Sequence, residues 1–201
     1  MKRIVRLSVA SLAAISGLLF ASTPAHAADS THGPWYVQGS VGFATYSISP
    51  TCTHSPIFGD LCLGGGSFGA FRGTAEGGYH FSGRADGFVL GLRQTIFASG
   101  GSMGITQVRL GWDIPIPIKD FELIIAPYGV GGVAYVFSSG GNGSVGVALA
   151  AGVEGKFFFM KPDSSAKGLF AFLQPVEIGG LFAGPFGGIT YTAGAGMGYA
   201  F

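Results

Sequence analysis

Eight ionisable side chains recur at alternating positions of segments that otherwise read as β-strands: Arg72 and Glu76, Arg93, Arg109 and Asp113, Glu154 and Lys156, and Glu177. Spacings of two and four residues put each pair on one face of an extended strand. Four are positive and four negative. Opposite charges gathered on the inner face of a rolled sheet can neutralise one another across the interior as a plug, or they can line a route for ions or protons. Left unpaired, each buried charge would cost several kcal/mol, so the equal numbers favour pairing. An eight-stranded barrel has an interior just wide enough for side chains to fill, which points the same way.

Other reactive residues are sparse. Beyond the N-terminal leader the histidines are His32, in a tail before the first strand, His54, in a polar loop, and His80, on the inward face of a strand. None has a serine and an acid gathered beside it on one rim, so acyl transfer by a Ser-His-acid site is unsupported. The His-x-Ser pattern of lipid A deacylases is absent from the later strands. Single histidines without ligand spacing give no metal site. Runs such as Gly129-Val-Gly131 and Gly194-Ala-Gly196 precede no helix and are not phosphate loops, and Asn142-Gly-Ser144 reads as a turn rather than a glycosylation acceptor. Cys52 and Cys62 stand within one polar stretch, and in an exported chain that pattern reads as a disulfide clipping a loop.

Residues 1–27 read as a secretory signal: basic Lys2, Arg3 and Arg6, an apolar run from Leu7 to Phe20 too short to span a bilayer, and small residues around Ala27 at the cleavage positions. Residues 28–201 then form one domain. The chain's 11 basic and 10 acidic residues nearly balance, and three of the basic ones lie in the leader. The remainder is slightly acidic and has no basic stripe, so no nucleic-acid partner is expected. Charged residues are only 10% of the chain and mean hydropathy is positive, against about 25% charge in soluble domains. No segment after the leader has the 18 consecutive apolar residues of a transmembrane helix. A hydrophobic, exported chain rich in Gly and Phe has the composition of a membrane β-barrel.

Turn signals cut the chain into eight strands. The first runs about Trp35–Ile48, followed by a long loop, Ser49–Gly66, that holds both cysteines and Asp60, the only charge in any expected extracellular loop. Then come Ser67–Phe81, Phe88–Ala98 and Met103–Ile114, ended by Pro115-Ile-Pro117, which lack ladder donors. Phe121–Phe137 is apolar on both faces, so alternation does not fix its register, and Pro127 suggests a bulge, a difficulty that Pro175 repeats in the seventh strand. Val145–Phe159, Leu169–Gly180 and Ile189–Phe201 complete the set. On the first strands Gln38, Thr74, His80, Thr95 and Gln107 share the inward face with the charges. Gln94 and Gln174 fall outward and break the pattern. Aromatic residues sort to the two rims, Trp35, Tyr79, Trp112 and Phe170 at one end and Phe43, Phe71, Phe97 and Tyr191 at the other, as membrane girdles do.

The last stretch, Ile189 to Phe201, places Tyr191, Ala193, Ala195, Met197, Tyr199 and Phe201 on one face and Thr and Gly on the other. Phe201, Tyr199 and Gly196 resemble the C-terminal signature of bacterial outer-membrane barrels, with a departure at Gly194, where that family carries a polar residue. The resemblance, at the level of pattern over residues 28–201, is to the small OmpA/OmpX-type barrels without a periplasmic domain. It implies an all-β fold, an eight-stranded antiparallel up-and-down transmembrane β-barrel, in the outer membrane of a Gram-negative bacterium. The implied partners are outer-membrane lipid and the barrel-assembly machinery, engaged through Gly196, Tyr199 and Phe201; no cofactor and no surface partner is specified. The roles in view are a structural or surface-interaction protein with a charge-plugged lumen, and a narrow channel for small or apolar solutes. A lipid-modifying enzyme and a secreted soluble β-sandwich or fibre are less supported.

Overall fold

The computed structural model describes residues 32–48, 51–55, 59–63, 66–99, 101–118, 121–137, 143–159, 168–183 and 186–201. Residues 1–27, expected to be a secretory signal, lie outside them. The described chain forms ten strands: β1 (Trp35–Ile48), β2 (Thr51–Ser55), β3 (Gly59–Leu63), β4 (Gly66–His80), β5 (Gly87–Ser99), β6 (Gly101–Ile118), β7 (Phe121–Phe137), β8 (Gly143–Phe158), β9 (Leu169–Ala183) and β10 (Phe186–Ala200). Eight of them close into an antiparallel barrel in the order β1-β10-β9-β8-β7-β6-β5-β4, with β4 pairing back to β1. The expected architecture is the observed one. β2 and β3 make a separate two-stranded hairpin in the long connection, where a loop was expected, and its register sets Cys52 opposite Cys62. No helix among the described residues is long and apolar enough to cross a membrane.

The barrel strands run from 13 to 18 residues, whereas about 9–11 tilted residues cross a hydrocarbon layer. The turn after β4 explains two glycines: Gly83 and Gly87 have φ of 80° and 74°, the left-handed region that only glycine enters without strain. Ser82 Oγ ties the same turn together by donating to the carbonyls of Arg84 and Asp86 at 3.0 and 2.7 Å.

Prolines behave differently from the sequence expectation in two places, on β6 and at Pro127. β6 does not stop at Ile114 but continues through Pro115, opposite Ile124, and Pro117, opposite Glu122. β5 supplies partners only as far as Gly87 opposite Asp113, so beyond Asp113 β6 is an edge with one neighbour. Two prolines at the same parity on an edge, with their missing donors turned to the vacant side, cost the ladder nothing. Pro127 carries no bulge: β7 pairs with β8 in one register straight through Pro127 and Val153. The bulge sits at Pro175. On β9 the three-residue step from Gln174 to Glu177 faces the two-residue step from Thr192 to Gly194 on β10, and Leu173 to Val176 faces Val153 to Gly155 on β8. One extra residue reverses the parity of every side chain beyond it. Phe170, Phe172 and Gln174 are therefore buried before the bulge and Glu177 after it, while Pro175 and Val176 both face out.

The outward face is mostly apolar; Val41 and Phe71 are each 73% exposed. At the end that carries the termini, rings follow one another around the outside, Trp35 to Tyr79, Phe81, Phe88 and Trp112, with centroids 4.7 to 6.4 Å apart. Two rings expected in the rims turn inward instead, Phe170 because of the bulge and Phe97 because it shares parity with Arg93 and Thr95; both are buried.

Candidate functional site

Three layers fill the interior. At the terminal end, Tyr36, Val89, Ile124, Phe158, Phe170 and Phe172 form an apolar cluster. At the opposite end, Ala44, Tyr46, Ala70, Phe97, Ile105, Ala134 and Ala148 form a second, with Met103 and Leu181 packed against it. The eight charges expected on the inward face are all buried, and each is ion-paired within the barrel.

Six charges join in one network. Arg93 donates Nε to Glu76 Oε2 at 2.6 Å, Nη1 to Glu177 Oε2 at 2.6 Å and Nη2 to Glu154 Oε1 at 3.2 Å. Arg109 Nη1 reaches Glu76 and Glu154 at 2.9 and 2.8 Å. Arg72 holds Glu177 and Thr192, both at 2.8 Å, and Gln174 Oε1 at 2.5 Å. The count is three positive against three negative. The other two charges pair with each other, Lys156 Nζ lying 2.5 Å from Asp113 Oδ2, an oxygen that also faces His80 Nε2 at 3.0 Å. Neutral groups complete the carboxylates' coordination: Tyr36 and Tyr128 donate to Glu76 and Glu177 at 2.7 Å each, and Gln38 reaches Glu76 and Glu154. The Tyr128 ring is flanked by the guanidinium groups of Arg93 and Arg109, 4.7 and 4.3 Å from its centroid, an arrangement in which the ring face favours the cations. Fork-shaped, charge-assisted bonds of this kind fix geometry as well as charge.

The glycines facing inward make room for these side chains. A Cβ on Gly196 or Gly198 would sit 2.8 or 2.3 Å from the rings of Phe172 or Phe170, and one on Gly78 would sit 2.5 Å from the Tyr36 ring. Small residues on one strand thus seat large ones from its neighbours. One cavity of about 20 Å³ lies beside Thr95, Gln107 and Thr192, enough for about one water molecule.

Several members of the network escaped sequence reasoning. Tyr36 shares the parity of Gln38 and was legible in principle. Tyr128 lies on a strand without alternation, and Gln174 was assigned outward because the bulge was unseen. Gln94 does point outward, where it accepts from Thr106 at 2.6 Å and donates to Tyr135; a polar trio that satisfies itself can sit on an apolar wall. His32 is not a free tail residue but is buried, stacked on Phe158 with centroids 4.0 Å apart. His80 pairs with Asp113, yet its other nitrogen meets the Pro34 carbonyl rather than a serine hydroxyl. The side chains of Cys52, His54 and Cys62 lie outside the described residues. At the C-terminus, Phe201 exchanges two backbone hydrogen bonds with Trp35, at 3.1 and 2.8 Å, while the Tyr199 and Phe201 rings lie on the outer face.

Closed, antiparallel, eight-stranded and filled, the chain has the fold of the small outer-membrane β-barrels. No protein-family model matches it and no curated protein does. Among solved structures it is similar to Neisserial surface protein A (NspA), with a TM-score of 0.55 and 13% identity over 83% of this chain and 97% of that one. The N-terminal β-barrel domain of Pseudomonas aeruginosa OprF matches with a TM-score of 0.41 and 14% identity over 80% and 97% of the two chains. The attachment invasion locus protein Ail of Yersinia pestis matches with a TM-score of 0.38 and 14% identity over 84% and 99%. At these identities the likeness to NspA is one of fold.

Proposed function

We propose that this chain is an integral outer-membrane β-barrel of a Gram-negative bacterium, exported by the leader at residues 1–27, with a sealed lumen and a structural or surface-interaction role. The observation that carries this reading is the layering of the interior. Six charges pair with one another between two apolar clusters, so an ion would have to be dehydrated twice and break a salt-bridge network on the way. The outward wall supports the rest of the proposal: a belt of exposed aliphatic side chains bounded by aromatic rings suits hydrocarbon as solvent.

In this reading function lies at the loop end, where β2 and β3 stand clear of the barrel, and a Cys52–Cys62 disulfide staples that hairpin across directly opposed positions. Gly196, Tyr199 and Phe201 present the last strand to the assembly machinery. No reaction is assigned, since no nucleophile among the described residues joins the His80–Asp113 pair.

Two measurements test the proposal. The chain refolded in detergent should migrate differently on a gel before and after boiling, and in planar bilayers it should show no steady conductance. A freely water-soluble monomer would reject the membrane assignment; a stable ion current would reject the sealed lumen in favour of a narrow channel.

A further inference from the structure

The cavity of about 20 Å³ is lined by members of both the charged layer and the apolar cluster at the loop end: Thr95, Gln107, Glu177 and Thr192 from the polar side, and Phe97 and Ile105 from the apolar one. Gln107 is only 6% exposed. Its side-chain amide carries both donors and acceptors, yet it bonds to none of the described residues. Its register neighbours explain why. On β5 the partner is Arg93, whose guanidinium is directed to three carboxylates; on β7 it is Gly132, which has no side chain to offer. A buried amide left in that state is unfavourable, and buried polar groups are as a rule hydrogen-bonded.

The other polar groups around the cavity define what it would take. Each oxygen of the Glu177 carboxylate already has two donors, Arg72 and Thr192 on Oε1 and Arg93 and Tyr128 on Oε2. Thr192 Oγ1 accepts from Arg72 and Gln174 while donating to Glu177. The charges beside the cavity are therefore engaged with one another, and the space calls for no counter-ion. Spare capacity lies in neutral groups: the Gln107 amide, and the Thr95 hydroxyl, whose one contact is Thr74 Oγ1 at 3.4 Å.

We propose that this cavity is a binding site for a single water molecule, held by the Gln107 amide with the Thr95 hydroxyl as its second partner. Water both donates and accepts, as an amide requires, and the volume suits one such molecule. The bound water joins the salt-bridge network to the loop-end cluster, so that a polar side chain stands over the ion pairs without bringing an ion with it. The inference rests on this cavity and goes beyond the proposed membrane role, which conductance tests separately.

In chain refolded in detergent micelles, NMR should show cross-relaxation at the water frequency to the Gln107 side-chain amide protons and to the buried Ile105 methyl groups. Gln107→Leu, similar in size but without the amide, should keep the heat-modifiable band and lose the cross peak between Ile105 and water. Addition of nitrogen-15-labelled ammonium chloride should leave the Gln107 resonances unmoved. A wild-type spectrum without a water cross peak at Gln107 would overturn the proposal whether or not Gln107→Leu folds. An Ile105 cross peak that survives unchanged in Gln107→Leu would remove Gln107 as the holder, and a cross peak from ammonium protons to Gln107 would make the occupant a cation instead.

Discussion

Arg93 is the hub of the interior, because its three donor nitrogens touch three carboxylates that come from three different strands. Replacing it with methionine keeps much of the volume and leaves Glu76, Glu154 and Glu177 under-compensated. Removing one member of a buried ion pair typically costs about 3–5 kcal/mol, so Arg93→Met should lower the unfolding free energy of the micelle-bound barrel by that amount, measured by urea titration of tryptophan fluorescence. A loss below about 0.5 kcal/mol would be the outcome of a surface pair and would contradict the burial seen here. Gly196 poses a different question at the same scale. Its position suggests an assembly signal, yet a side chain there would meet the Gly39 carbonyl oxygen at 2.1 Å and the Phe172 ring at 2.8 Å. Overpacking of this kind costs about 1–3 kcal/mol. Gly196→Val should therefore impair refolding of purified chain in detergent, where no assembly machinery is present; normal refolding in vitro with poor assembly in cells would assign Gly196 to the signal alone.

Among the elements, β9 decides how the network is built. Pro175 is the residue that lets Gln174 and Glu177, three apart, face the same interior. Pro175→Ala preserves the residue count and should leave the heat-modifiable band intact, whereas deleting Pro175 forces either Gln174 and Phe172 or Glu177 toward lipid and should abolish that band. This also marks where the sequence could be read and where it could not. On β4, β5, β6 and β8 the charges fall at alternate positions among apolar ones, and period-two patterning locates the inward face without ambiguity. On β7 both faces are apolar, so nothing along the chain distinguishes Tyr128, which is inside, from Pro127, which is not. On β9 the pattern exists but is shifted midway, and a bulge leaves no sequence mark beyond a proline that could equally have stood at Pro127. The prolines of β6 show the same limit from the other side: that a strand can run through Pro115 and Pro117 depends on how short its neighbour β5 is, a fact about pairing rather than about the segment itself.

For the molecule as a whole, two apolar clusters back the salt-bridge layer in the proposed seal. Arg93→Met weakens the middle layer only, so this variant should remain non-conducting in planar bilayers although it is less stable. Opening the apolar layer at the loop end with Tyr46→Ala and Phe97→Ala should not give a current either, since the salt bridges persist below it. A conducting path is expected only when all three layers are breached, as when Phe158→Ala and Phe170→Ala at the terminal end are added to Tyr46→Ala, Phe97→Ala and Arg93→Met, and single-channel recording of these variants would show it. Current through Arg93→Met alone would mean that the charges by themselves are the barrier.

Arg93 on β5 finds its carboxylates on β4, β8 and β9, and Arg109 on β6 finds its own on β4 and β8. On a flat sheet Arg93 would meet only Glu76, its register partner on the neighbouring β4, while β8 and β9 would lie three and four ladder spacings from β5. Rolling the sheet brings Glu154 and Glu177 within reach of Arg93 as well. The same ions that would forbid a partly threaded ribbon in the bilayer thus reward circular closure, which makes insertion an all-or-none event.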